Sequence, residues 1–169
     1  MRDSAFLLKF IILLVAQVLI WNFCNFSQYA MLTFLPVIIL LLPTKQETLI
    51  SMLIAFAAGF LVDFLADGML GLTSLALVPV AFLRKGIIRL VFGSELLSRE
   101  ENISLRKHGA SHIIVSTLLC TAIFLAVYIW ADGAGMRPLW FNLVKFGASL
   151  LLSSIVSVFL AIVLFPDEK

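Results

Sequence analysis

Apolar residues gather along the chain into six blocks, at 5–23, 29–42, 48–65, 70–83, 113–130 and 141–165, with short polar stretches between them. A helix of about 20 apolar residues spans the hydrocarbon core of a bilayer, where every backbone polar group must be bonded internally. The pattern therefore predicts an all-α, polytopic membrane protein: one domain over 1–169, built as a six-helix transmembrane bundle. The first block is broken by Lys9, whose long side chain can snorkel to the near interface. It follows Arg2 as a signal peptide would, but closes with Trp21, Asn22, Phe23 and Cys24 rather than a small-residue cleavage pattern. It reads as a retained helix.

Proline and charge punctuate the other blocks. The second holds Pro36 and stops at Pro43; the third ends around Asp63 and Asp67; the fourth holds Pro79 and runs into Arg84 and Lys85; the sixth closes at Pro166. Blocks two and four, at about 14 residues each, would cover roughly 21 Å as straight helices, short of the ~30 Å core. They are expected to be thinned, kinked or extended by their flanks.

Composition agrees with the pattern. Hydrophobic residues make up 62% of the 169 positions, charged residues 13%, and the mean hydropathy is +1.12. A soluble domain runs nearer half apolar and a quarter charged. The net charge of +2 is too small to point to nucleic acid, but the placement of the basic residues is informative. With the N-terminus in the cytoplasm, six crossings put Arg2, Lys45, Arg84, Lys85, Arg89, Arg99, Arg106, Lys107 and Lys169 inside, and Arg137 and Lys145 at the outer end. Nine against two follows the positive-inside rule, so both termini are expected to be cytoplasmic. The longest connection, 84–109, then faces the cytoplasm. Its first part, through Phe92, alternates basic and apolar residues as a helix lying on the anionic inner leaflet would, and 98–107 reads as solvated. Cys24 and Cys120 fall at depths that differ by roughly 10–15 Å, too far for a disulfide, and read as small apolar fillers.

The stretch from block three into block four carries the most information. Gly59 and Asp63 share a helix face, and an acid at membrane depth marks a helix end, a hydrogen bond inside the bundle or a ligand site. Asp67-Gly68 is turn chemistry, and Gly71 suits a special backbone angle or a close approach. Ser149, Ser153, Ser157 and Ala161 form a flat ridge at four-residue spacing in block six, as do Ala55 and Gly59 in block three. Such ridges accept a closely packed helix, either of the same bundle or of a partner. His108 and His112 are four apart without a third ligand nearby, and read as an interfacial cap at the start of helix five, weakened by Gly109. Trp21, Trp130 and Trp140 fall at outer ends as belt anchors. No phosphate loop, nucleophile beside a base or convincing carboxylate pair is present, so no catalytic, cofactor or metal residue is assigned and an enzyme is not expected.

Taken in order, Phe34-Leu-Pro36 through Pro43, Ala55-Phe-Ala-Ala-Gly59-Phe-Leu-Val-Asp63, Gly71, and Ala81-Phe-Leu-Arg84 resemble the rod shape-determining MreD family over about residues 30–90. The resemblance implies a non-catalytic inner-membrane scaffold of the bacterial elongation machinery. Its expected direct partner is MreC, beside MreB filaments, a wall glycosyltransferase and a penicillin-binding transpeptidase, all within membrane lipid. It implies a fold similar to the substrate-binding subunit of energy-coupling-factor transporters, and makes Pro36, Pro43, Gly59, Asp63 and Gly71 determinants of fold and interface. The Ala55/Gly59 and Ser149/Ser153/Ser157/Ala161 faces are then candidate docking sites for the MreC helix. The alternative is a small-ligand-binding transporter subunit, which short proline-broken helices would also suit. Such subunits carry small residues at four-residue spacing in the first helix, where this chain has only Ala5 and Ala16.

Overall fold

The computed structural model describes residues 2–23, 30–67, 70–93, 105–133 and 137–164. Among these residues there is no β-strand, and the helices are α1 (Arg2–Phe23), α2 (Leu35–Leu40), α3 (Thr48–Val62), α4 (Leu72–Phe92), α5 (Leu105–Gly133) and α6 (Leu139–Leu164). A π-helical turn, Asp63–Asp67, follows α3 directly. Among the described residues three stretches are long and apolar enough to cross a membrane, Thr48–Ala66, Ser111–Gly133 and Leu139–Val163, and Leu8–Phe23 is a shorter apolar helix. Large apolar side chains point outward on these helices; on α3, Leu53, Phe56, Phe60 and Leu61, with Phe64 just beyond, are between 43% and 68% exposed. Such a surface suits lipid rather than water.

α4 packs between α3 and α5, and α5 packs against α6. α2 sits inside, touching α1, α4, α5 and α6, while α1 lies across α2, α3 and the π turn. All six residues of α2 are buried. This is the first departure from the block pattern: 29–42 is not one helix. Residues 31–34 are non-helical, α2 makes fewer than two turns, and 41–46 are mostly turns and bends. Pro36 lies in the first turn of α2, where its missing N–H is no loss, and Pro43 follows just past the end, where the helix cannot continue. The non-helical stretch is held by side chains described below.

A second departure is α4. It runs on through 84–92, so the helix expected on the leaflet over this part of the 84–109 connection is instead continuous with α4 and packs into the bundle. The reason is one buried stripe: Val80, Ala81, Arg84, Ile87 and Ile88 recur at helical spacing and are all within 8% exposure. Pro79 sits inside this helix without ending it. α5 likewise starts earlier than 113, at Leu105, and passes through Gly109, so His108 and His112 belong to its first turns rather than capping its start. α6 matches its block closely. Cys24, Gly68, Arg99 and Pro166 lie outside the described residues, and Cys120 is a buried free thiol.

Candidate functional site

Inside a bilayer a polar side chain must find a partner in the protein, so the buried polar groups locate whatever this fold holds together or binds. They form three clusters.

The first is built on Asp63, which is completely buried at the start of the π turn. Its Oδ2 accepts from the backbone N–H of Gly71 at 2.9 Å, Thr73 at 3.1 Å and Ser74 at 3.4 Å, and its Oδ1 accepts from Thr73 at 3.1 Å. These are the N–H groups that the first turn of α4 leaves without helical partners. A carboxylate there also meets the positive end of the helix dipole. Gly71 takes the N-cap position with φ +96°, left-handed backbone that favours glycine. A Cβ on Gly71 would meet nothing within 4 Å, so backbone angle, not close approach, is what it supplies. Gly59 does the opposite. A Cβ there would lie 2.6 Å from the Cα and N of Ser74, so α3 and α4 touch backbone to backbone. Ser74 Oγ donates to Phe56 O across the same contact at 3.1 Å. Asp63 is thus a cap, and neither ends a helix in water nor reaches toward a ligand.

Arg84 forms the second cluster. It is 1% exposed, and its guanidinium reaches the end of α2, donating from Nη2 to the carbonyls of Leu42 and Leu40 and from Nη1 to that of Pro43. Helix ends leave carbonyls unsatisfied, and a planar cation with several donors can gather three of them. The positive charge also faces the negative end of α2. Its Nε, with the hydroxyls of Ser51, Thr73 and Thr117, is buried without a hydrogen-bond partner.

The third cluster explains residues 31–34. Ser149 Oγ accepts from Met31 N at 2.9 Å; Ser153 Oγ accepts from Thr33 N at 3.0 Å and donates to Met31 O at 3.0 Å; Ser157 Oγ donates to Thr33 O at 3.4 Å. From the other side, Gln17 Nε2 and Trp21 Nε1 both donate to Leu32 O, at 3.2 and 2.8 Å, and Gln17 Oε1 accepts from Phe34 N at 3.0 Å. α1 and α6 therefore clasp a non-helical stretch of backbone and satisfy it with side chains.

This placement corrects the docking reading of both ridges. Ser149, Ser153, Ser157 and Ala161 are fully buried against the chain's own backbone and bundle, and Ala55 and Gly59 face the bundle, with Gly59 against α4. Neither ridge is open to a partner. Trp21 is corrected too, since it is half-buried, bonded to Leu32 O and tilted against Tyr128 at 6.0 Å, whereas Trp130 and Trp140 are exposed. At the α5–α6 junction Asp132 Oδ2 takes both Arg137 and Lys145 at 2.8 Å, with the Arg137 guanidinium over the Phe141 ring. His112 is exposed beside Phe92, and among the described residues no three His, Cys, Asp or Glu side chains gather.

Gln17 and Arg84 are the residues that reading the sequence missed. A signal existed for Gln17, a lone amide in the middle of an apolar block. Arg84, at the edge of a basic run, looked like a loop charge. No protein-family model, curated protein or solved structure matches the chain.

Proposed function

We propose that this protein is a membrane scaffold of the bacterial cell-elongation complex, of the MreD kind, that binds MreC and supports lateral peptidoglycan synthesis without chemistry of its own. The observation that carries this reading is where the pattern residues fall. Pro36 and Pro43 bound α2, Arg84 ties its end to α4, Gly59 lets α3 meet α4, and Gly71 and Asp63 start α4. The residues that carry the resemblance thus make one continuous unit, and the polar groups at its heart turn onto the chain's own backbone. That leaves the outer surface as the working part, which is what a scaffold offers its partners.

In this reading the chain crosses the bacterial inner membrane six times with both termini in the cytoplasm. The second crossing is the non-helical segment 31–34 plus α2, which protein rather than lipid surrounds, as non-helical backbone at membrane depth requires. α4, with 21 residues, covers about 31 Å and completes the fourth. The MreC helix then meets an outward apolar face, such as the one α1 offers through Leu8, Ile12, Val15 and Leu19.

A transporter subunit is the second reading, favoured by the broken second crossing, since discontinuous helices build substrate sites in many carriers. A tagged pull-down from native membranes in mild detergent separates the two. Recovery of MreC with wall-synthesis enzymes is expected. Recovery of ATPase subunits with a coupling membrane protein would overturn the scaffold.

A further inference from the structure

The last three turns of α4 present a surface that the scaffold reading does not use. Seen down the helix, Phe82, Gly86, Arg89 and Gly93 fall on one outward stripe, with Lys85 on one flank and Leu83 and Leu90 on the other. Phe82 and Leu90 are 60% and 79% exposed, and Arg89 is exposed while Lys85 is half-buried. Gly86 lies between them, exposed, with nothing within 4 Å of where its Cβ would be. It forms an open shelf between two cations on one side and two leucines on the other. Lys85 and Arg89 are four apart and so share a side of the helix. Neither has an ion-pair partner among the described residues.

We propose that this shelf binds an anionic phospholipid, with its phosphate held by Lys85 and Arg89 and an acyl chain laid over Gly86 along Phe82. Charge complementarity selects the headgroup, and the exposed apolar side chains beside it select a lipid over a soluble anion. The carbonyl end of α4 disfavours an anion in the final turn, so the two full charges must supply the attraction. The phosphate therefore sits a turn back from Gly93, between the two basic residues.

The test uses the full chain purified in mild detergent, with dioleoyl-phosphatidylglycerol and dioleoyl-phosphatidylcholine as probes and native mass spectrometry counting retained lipid. The parent is expected to retain phosphatidylglycerol preferentially. Basic residues near a membrane surface contribute about fivefold each to anionic lipid binding, so the Lys85→Gln/Arg89→Gln double variant should lose roughly 25-fold of that preference. Gly86→Leu keeps both charges, has room for its side chain, and should also lose phosphatidylglycerol by filling the shelf. It decides the matter if the double variant does not fold. Retained preference in either folded variant overturns the proposal. So does an equal loss in Arg137→Gln at the far α5–α6 junction, which would mean general charge attraction, or displacement of the lipid by millimolar inorganic phosphate.

Discussion

Removing the Asp63 carboxylate tests the central joint of the fold. Asp63→Ala leaves the N–H groups of Gly71, Thr73 and Ser74 without their acceptor. Gly71 is half-exposed and can recover a partner, but Thr73 and Ser74 are buried. A buried donor left unmade costs about 1–3 kcal/mol, so two of them give a loss of about 3 kcal/mol. Asparagine keeps one acceptor oxygen. Set in place of Oδ2, that oxygen preserves the shortest bond and loses the charge, at about 1 kcal/mol. For a chain of this size each kcal/mol lowers the melting point by about 2–4 °C. Fluorescence-detected size exclusion after heating in mild detergent should therefore show falls of roughly 6–12 °C for Ala and 2–4 °C for Asn. An alanine variant melting within about 2 °C of the parent would refute the capping argument. If Asn falls as far as Ala, the charge itself is required and hydrogen bonding alone is not the explanation.

Other contacts predict contrasts of the same kind, read by the same melts. Gly59→Ala must push α3 from α4 and should destabilise by about 1–3 kcal/mol, while Gly147→Ala, with open space at its Cβ, should change stability by less than about 1 kcal/mol. Ser153→Ala strands the N–H of Thr33 and the carbonyl of Met31, a loss of about 2 kcal/mol or more, whereas Ser154→Ala removes only a bond to its own helix and should be near neutral. In a Cys24→Ser background, Cys120 should resist maleimide because it is buried. Arg84→Met, which frees the carbonyls at the end of α2, should expose it to labelling; unchanged protection would mean that Arg84 does not hold this region closed.

The apolar blocks made the long helices legible because lipid imposes one simple demand, about 20 apolar residues in a row. α3, α5 and α6 follow from that alone. Block two did not, because its shape depends on Gln17, Trp21 and three serines that lie far off in sequence and bond its backbone from both sides. Hydropathy treats such a stretch as one more helix. The end of α4 was misread for a related reason. A basic run reads as a loop until the structure shows Arg84 turned inward onto α2. Among site residues, a special backbone angle at Gly71 was one of two readings that its place after a turn allowed, and the spacing of Gly59 and Asp63 put them on one helix face without saying that this face joins α3 to α4. The serine ridge was legible as a close-packing face, but spacing does not say whether a helix or a non-helical segment lies against it.

The clasp on residues 31–34 has a consequence for how the protein is made. Its contacts to α6 join residues 118 to 124 positions apart. At about 5–20 residues per second, the ribosome takes roughly 6–24 s to supply the serines after it has made the segment they hold. Until then the N–H and C=O groups of Met31 and Thr33 lack these partners, and each would cost several kcal/mol in hydrocarbon. The segment 31–34 therefore cannot settle in the order of its synthesis. It needs an aqueous or protein-lined setting until α6 arrives, and a nascent chain stopped before residue 139 should leave the backbone of 31–34 more open to hydrogen exchange than the full chain does.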